Sequence, residues 1–181
     1  VVSTMFAYDD PDQGMRVINT AVPFADPGVH VEETWDALGM RGTGSHHLVI
    51  DDVFIPDEKV MANRPHGVLD PPLQVILSVA MPIISGVYLG VAESARDHAV
   101  AVAGHRDDPS IQRRVGLMDT RLRVAGWALD GALDVVGDDP APSMDTVAAV
   151  LAAKREVTLA GQEVCDLAMA GAGGQAFSKG S

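Results

Sequence analysis

The apolar residues of this chain change their period once, and that change limits the folds open to it. Up to Pro56 they alternate with polar residues, as on a strand with one buried face. From Pro71 onward they recur every three or four residues, as along one face of a helix. Residues 1–8 alternate, and Asp9-Asp10-Pro11-Asp12-Gln13-Gly14 is a turn cluster. Residues 15–24 read as a second strand, Asp26-Pro27-Gly28 as a turn, and residues 29–33 as a short strand. Residues 46–56 read as a further strand ended by its proline, within a set of about five antiparallel strands. The polar stretch 57–70, with Pro65 and Gly67, reads as a linker. The expected division is a partial β-domain over 1–60, a linker over 61–71 and a helical bundle over 72–181.

The helical part has its own punctuation. A first helix is expected over about 72–104, with Pro82 either kinking it or marking its true start. Asp108-Pro109-Ser110 opens a second, since Asp108 or Ser110 can cap and proline suits a first turn. Its apolar stripe is Ile111, Val115, Met118, Leu122, Ala125, Leu129, Leu133 and Val136, and Gly137 to Pro140 ends it. Ser143 is the cap expected for a third helix, whose stripe is Val147, Val150, Leu151, Val157, Leu159, Val164, Leu167 and Met169. Gly171 to Gly174 closes it. Three long helices with short connections make most of an up-down bundle. The fold class is α+β: an antiparallel β-domain followed by that bundle.

A net charge of −12 argues against nucleic acid and against an anionic membrane surface as partners. Hydrophobic content of 47% with 21% charged residues marks a chain that can build a core. The apolar run 75–91 contains Ser78, Pro82, Ser85 and Gly86, and reads as a buried helix in preference to a membrane span. Cys165 is the sole cysteine, which excludes an internal disulfide, fits a reducing cytoplasm and suits a small core position. His46 and His47 are adjacent on a strand and face opposite ways, so no metal site is expected of them. Arg113, Arg114, Arg121 and Arg123 cluster on the second helix, as a solvated face or a subunit interface.

One segment fits neither period. Trp35-Asp36-Ala37-Leu38-Gly39-Met40-Arg41-Gly42-Thr43-Gly44-Ser45 is rich in glycine yet carries Trp, Met and Arg. With the run Asp51-Asp52-Val53-Phe54-Ile55-Pro56 it resembles the W-x-x-L-G-M-R-x-T-x-S element and exit strand of the acyl-CoA dehydrogenase superfamily. Asp26-Pro27-Gly28-Val29 is similar to that family's turn before the element. Lys154 after Ala153, nineteen residues before Gly173-Gly174, is similar to its Lys to Gly-Gly spacing.

The resemblance implies the second half of that fold, with FAD as cofactor, an acyl-CoA thioester as substrate for α,β-dehydrogenation, and a homodimer or homotetramer served by an electron-transfer partner. It places Arg106, Gly173 and Gly174 at the flavin phosphates, and Arg41 near substrate. The match departs from the family where Asp107-Asp108-Pro109 follows Arg106, and where Ala170 stands for a glutamine. Ala80 occupies one of the positions of the catalytic base, and no catalytic residue is assigned. Asp108-Pro109-Ser110-Ile111-Gln112 is similar to the D-P-x-x-Q entry of the superfamily's monooxygenase branch. This adds Gln112 to the cofactor residues and implies, as an alternative, a flavin-dependent monooxygenase supplied by a reductase, with FMN in place of FAD. The departures also admit a flavin-poor partner subunit of a hetero-oligomer. The chain reads as a truncated protein with an incomplete active site.

Overall fold

Asp10 turns the chain at its first reversal by accepting the backbone N–H groups of Asp12 at 3.0 Å and Gln13 at 2.9 Å. Gly14 follows at φ 71°, where a side chain would be strained. These contacts, which hold the Asp10 carboxyl below the usual carboxylate range, come from a computed structural model that describes residues 1–103 and 105–174. The turn joins β1 (Val2–Asp10) to β2 (Gly14–Val22), paired antiparallel with Phe6 opposite Ile18 and Tyr8 opposite Arg16.

The polar stretch expected as a linker is in large part a strand. Asp57–Lys59 forms one 3-10 turn, and β5 (Val60–Pro65) then pairs antiparallel with β2, so the sheet order is β1-β2-β5. Buried Arg64 and exposed Asn63 hide the strand's alternation, because polar side chains occupy both faces. Proline stands at the last strand position, where a missing N–H is tolerated.

The remaining strands form a separate hairpin of β3 (Val29–Glu32) and β4 (His47–Ile50), with Val29 opposite Ile50 and Val31 opposite Leu48. β4 is much shorter than the strand expected over 46–56, because Asp52 takes a left-handed φ of 49° and breaks the extended backbone. The hairpin leaves no room at Gly28. Asp51 N–H donates to Gly28 O at 2.9 Å, and a Cβ at position 28 would overlap the Asp51 carbonyl oxygen.

Three helices follow: α1 (Pro71–Ala103), α2 (Pro109–Val136) and α3 (Met144–Ala172). The chain divides into two compact units, Val1–Val68 and a helical unit from Leu69 onward. α1 runs unbroken through Pro82, so the proline does not mark its start. The hydroxyls of Ser78 and Ser85 donate to the carbonyls of Gln74 and Met81 at 2.8 Å, which lets both serines be buried. Asp108 caps α2 by accepting Ser110 N–H at 2.8 Å, and Ser143 caps α3 by accepting Thr146 N–H at 3.1 Å. Gly137 and Gly173, at φ 66° and 64°, end the two helices.

The core of the helical unit is built from small residues. α3 contributes Val150, Ala153, Val157, Ala160, Val164 and Ala168, and Leu151, Leu159 and Met169 of the expected stripe face outward. α1 contributes Ala92, Ala99 and Ala103, and α2 contributes Ile111, Met118, Ala125 and Ala132. α1 was expected to be buried, yet Ile83 is 67% and Val91 59% exposed, because α2 and α3 cover only one side of it. By length and composition α1 could cross a membrane, with a mean hydropathy of 2.1 over its most apolar window. Its buried stripe against α2 and α3 is that of a bundle helix.

Two substitutions test these contacts. Met118→Ala removes the largest fully buried side chain of the helical unit and should cost about 2–5 kcal/mol, read by urea unfolding. Gly28→Ala should destabilise the β unit by about 1–3 kcal/mol, because the added methyl must displace backbone.

Candidate functional site

α1 and α3 run the same way and α2 runs against them. Ala92 and Ala99 of α1, Met118 of α2 and Val164 and Ala168 of α3 form one buried cluster. Ala132 of α2 joins Val150 and Ala153 of α3 in another. The turn between α1 and α2 therefore lies at the same end of the bundle as the last turn of α3. This brings Arg106, Gln112, Gly173 and Gly174 to one end of the helical unit, although Gln112 and Gly173 are 61 positions apart in the chain.

At that end the electrostatics are mixed. Arg106 lies in the turn, where its N–H donates to Ala103 O at 3.0 Å and its carbonyl accepts Asp108 N–H at 2.9 Å. Arg106 and Gln112 are exposed, and among the described residues neither side chain makes a hydrogen bond or ion pair. Gln112 stands on the first turn of α2, whose positive dipole end favours an anion, although its N–H groups already donate to Asp108, that of Ser110 to the carboxylate and those of Ile111 and Gln112 to the backbone carbonyl. Asp108 occupies part of that field. The Ser110 hydroxyl and N–H, with Ile111 N–H, hold its carboxyl below the usual carboxylate range.

Gly173 was expected to offer its backbone N–H to a phosphate. That N–H instead donates to Met169 O and closes α3, which leaves exposed Gly174 as the nearer backbone candidate. The family-like continuation Gln175-Ala176-Phe177 lies outside the described residues.

The arginines of α2 divide. Arg121 reaches Glu163 of α3 at 2.6 Å, and Arg114 donates to Ser110 Oγ at 3.2 Å. Arg96 of α1 donates to Asp119 of α2 at 2.7 Å and to Asp97 at 2.9 Å, and these carboxylates raise its pKa. Cys165 was read as a core residue but is only partly buried. It lines an apolar groove of about 530 Å³ with Tyr88 and Val91 of α1 and Thr158, Gly161 and Gln162 of α3.

Arg41 sits in the β unit, in a 3-10 turn (Arg41–Thr43) at the tip of the 35–45 loop. It is exposed and pairs with neither Asp36 nor Asp51. The loop is braced without it. Trp35 Nε1 donates to Met40 O at 3.2 Å, Thr43 Oγ1 to the same carbonyl at 2.8 Å, and Met40 takes a left-handed φ of 53°.

Sequence reasoning set His46 aside. The structure gives its Nδ1 the Trp35 N–H at 3.0 Å, a contact between residues eleven apart that no motif announces. It also missed the network in which Tyr8 OH accepts Asn63 Nδ2 at 3.0 Å and Asn63 Oδ1 accepts Arg16 Nε at 2.8 Å. Among the described residues no group of three or more His, Cys, Asp or Glu could hold a metal ion.

No protein-family model matches the chain. It is 34% identical over 154 residues to YdbM of Bacillus subtilis, a candidate acyl-CoA dehydrogenase, covering 80% of this chain and 39% of that protein. It is 30% identical to the L-evernosamine nitrososynthase of a Micromonospora species (93% of this chain, 43% of that one). It is 32% identical to the indole-3-acetate monooxygenase of Pseudomonas putida (62% and 33%). Among solved structures it is similar to KijD3, determined with FMN and a dTDP-linked amino-keto sugar, at 28% identity and a TM-score of 0.73 over 95% of this chain and 45% of that one. The chain thus spans less than half the length of each of these proteins.

The cap at Asp108 has a pH signature. A carboxyl held below its ordinary range contributes stability that is full above that range and is lost as pH falls through its folded value. Hydrogen exchange at Ser110 and Ile111 should therefore accelerate on acidification beyond its intrinsic pH dependence. Asp108→Asn should cap equally well with that dependence removed.

Proposed function

The chain has the acyl-CoA dehydrogenase superfamily fold, and we propose that it is part of a flavin-dependent monooxygenase that uses reduced FMN and oxygen on a small organic substrate. The observation that carries this reading is the entry of α2. Asp108 caps the helix, Pro109 is its first residue and Gln112 stands one turn in, exposed at the same end of the unit as Arg106. The resemblance of this entry to the monooxygenase branch, and the names of the nitrososynthase and monooxygenase relatives, point the same way.

The residues at this end of the bundle suit an anionic cofactor in part. Arg106 would place a guanidinium on the FMN phosphate and Gln112 an amide donor beside it. The first turn of α2 would add favourable dipole, while Gly173 N–H is already committed to Met169 O. Reduced flavin, when bound, supplies two electrons to O₂, so that one oxygen atom enters the substrate and the other leaves as water. Arg41 of the β unit would serve as a substrate-side cation.

A second reading, FAD-dependent dehydrogenation of an acyl-CoA, draws on the similarity to YdbM. It needs a carboxylate base, which Ala80 cannot supply.

Full-length protein given reductase-generated reduced FMN should consume oxygen in step with product. Arg106→Ala and Gln112→Ala should each weaken FMN binding about tenfold, read by fluorescence titration. Bleaching of bound flavin by an acyl-CoA under anaerobic conditions would instead establish the dehydrogenase. A colourless protein active only beside a second chain would establish a partner subunit.

A further inference from the structure

The loop over residues 35–45 is closed at its neck by two side chains. Trp35 N–H donates to His46 Nδ1 at 3.0 Å, and His47 N–H donates to Thr34 Oγ1 at 3.1 Å. Within the loop, Thr43 Oγ1 lies 2.9 Å from Ser45 Oγ, and Trp35 Nε1 and Thr43 Oγ1 both bond Met40 O. These bonds hold Met40 in its left-handed conformation, which a methionine adopts only where its surroundings impose it.

We propose that His46 is a pH-sensitive clasp on this loop, closed by the neutral imidazole and opened by protonation. The chemistry is set by the direction of the Trp35 bond. A backbone N–H can only donate, so His46 Nδ1 must carry a lone pair, which makes the closed form the Nε2–H tautomer. In imidazolium both ring nitrogens are donors, and Trp35 N–H then faces a proton. The clasp is therefore present while the imidazole is neutral and lost once it is protonated. Thr34 cannot replace it, because that hydroxyl closes on β4 whatever the pH.

Other charged groups border the clasp without pairing with His46 among the described residues. Glu33 and Asp36 lie on the incoming limb and Arg41 at the tip, whereas Asp51 and Asp52 follow β4 at the opposite end of the hairpin, beside Gly28. Across β3 and β4, His47 Nδ1 stands 4.0 Å from Glu32 Oε2, so this second imidazole needs its own control. Opening the clasp would free the segment that presents Arg41, with Leu38 and Met40 exposed beside it. The inference rests on the β unit alone and stands whether or not the protein uses flavin.

The test is amide hydrogen exchange of the 33–47 segment in the full-length protein at pH 8 and pH 5.5, corrected for intrinsic rates. The unmodified protein should protect the segment at pH 8 and exchange it about tenfold faster at pH 5.5, the loss of about one hydrogen bond. His46→Asn, whose Oδ1 accepts the Trp35 N–H at any pH, should stay protected at both. His46→Ala should be unprotected at both, and His47→Ala should keep the unmodified pH response. A pH response that survives in His46→Asn, or disappears in His47→Ala, overturns the proposal. A second measurement needs no variant: ¹⁵N chemical shifts of His46 should report the Nε2–H tautomer above the transition, and the Nδ1–H tautomer would overturn the clasp.

Discussion

The helical unit depends on how closely α3 approaches its two neighbours. Along α3 the buried positions are Val147, Val150, Ala153, Val157, Ala160, Val164, Ala168, Gly171 and Ala172, so α3 itself puts nothing larger than a valine fully into the seam. At Gly161 α3 lies close to α1, since an added Cβ would stand 3.9 Å from Ala92 Cβ and from Tyr88 O. Small residues yield little apolar burial each, about 0.8 kcal/mol per CH₂. They also lose little or no rotamer freedom on packing, so most of that burial is retained as stability. Ion pairs Arg96–Asp119 and Arg121–Glu163 lie on partly exposed flanks and contribute modestly beside this seam.

The same seam decides where chemistry can be placed. A bundle in which α1 and α3 run together and α2 returns gathers the α1–α2 turn and the end of α3 at one place. Motif residues distant in sequence thereby share one end of the unit. Arg106 and Gln112 reach solvent there because the Asp108 cap directs the chain into α2. Gly173 illustrates a conflict at such an end. The residue that can terminate a helix with φ 64° spends its N–H on doing so.

What was legible in the sequence was punctuation. Asp108, Ser143, Gly137 and the turns at Asp10 and Gly28 have one physical use each, and each is found performing it. Less legible was anything decided by partners distant in the chain. β5 escaped notice because Asn63 and Arg64 take up bonds from β1 and β2 and so look like linker residues. The alanines of α3 escaped it because a stripe of Leu and Met beside them scores as more apolar, yet close approach selects the smaller side chains. Arg106 and Gln112 could be singled out only through a family likeness, since an exposed Arg or Gln has no period. His46 could not be singled out at all, because its partner is a backbone N–H.

Gly28 carries a different kind of consequence. Its hairpin admits no Cβ, and every amino acid reachable from a glycine codon by one base change carries one. Neutral drift therefore has no first step at this position. Any lineage that loses the glycine must already have moved the Asp51 carbonyl, so residues 28 and 51 to 53 should change together or not at all. In a chain whose helical seam can exchange one small residue for another, this turn is a fixed point by which distant copies of the fold could be aligned.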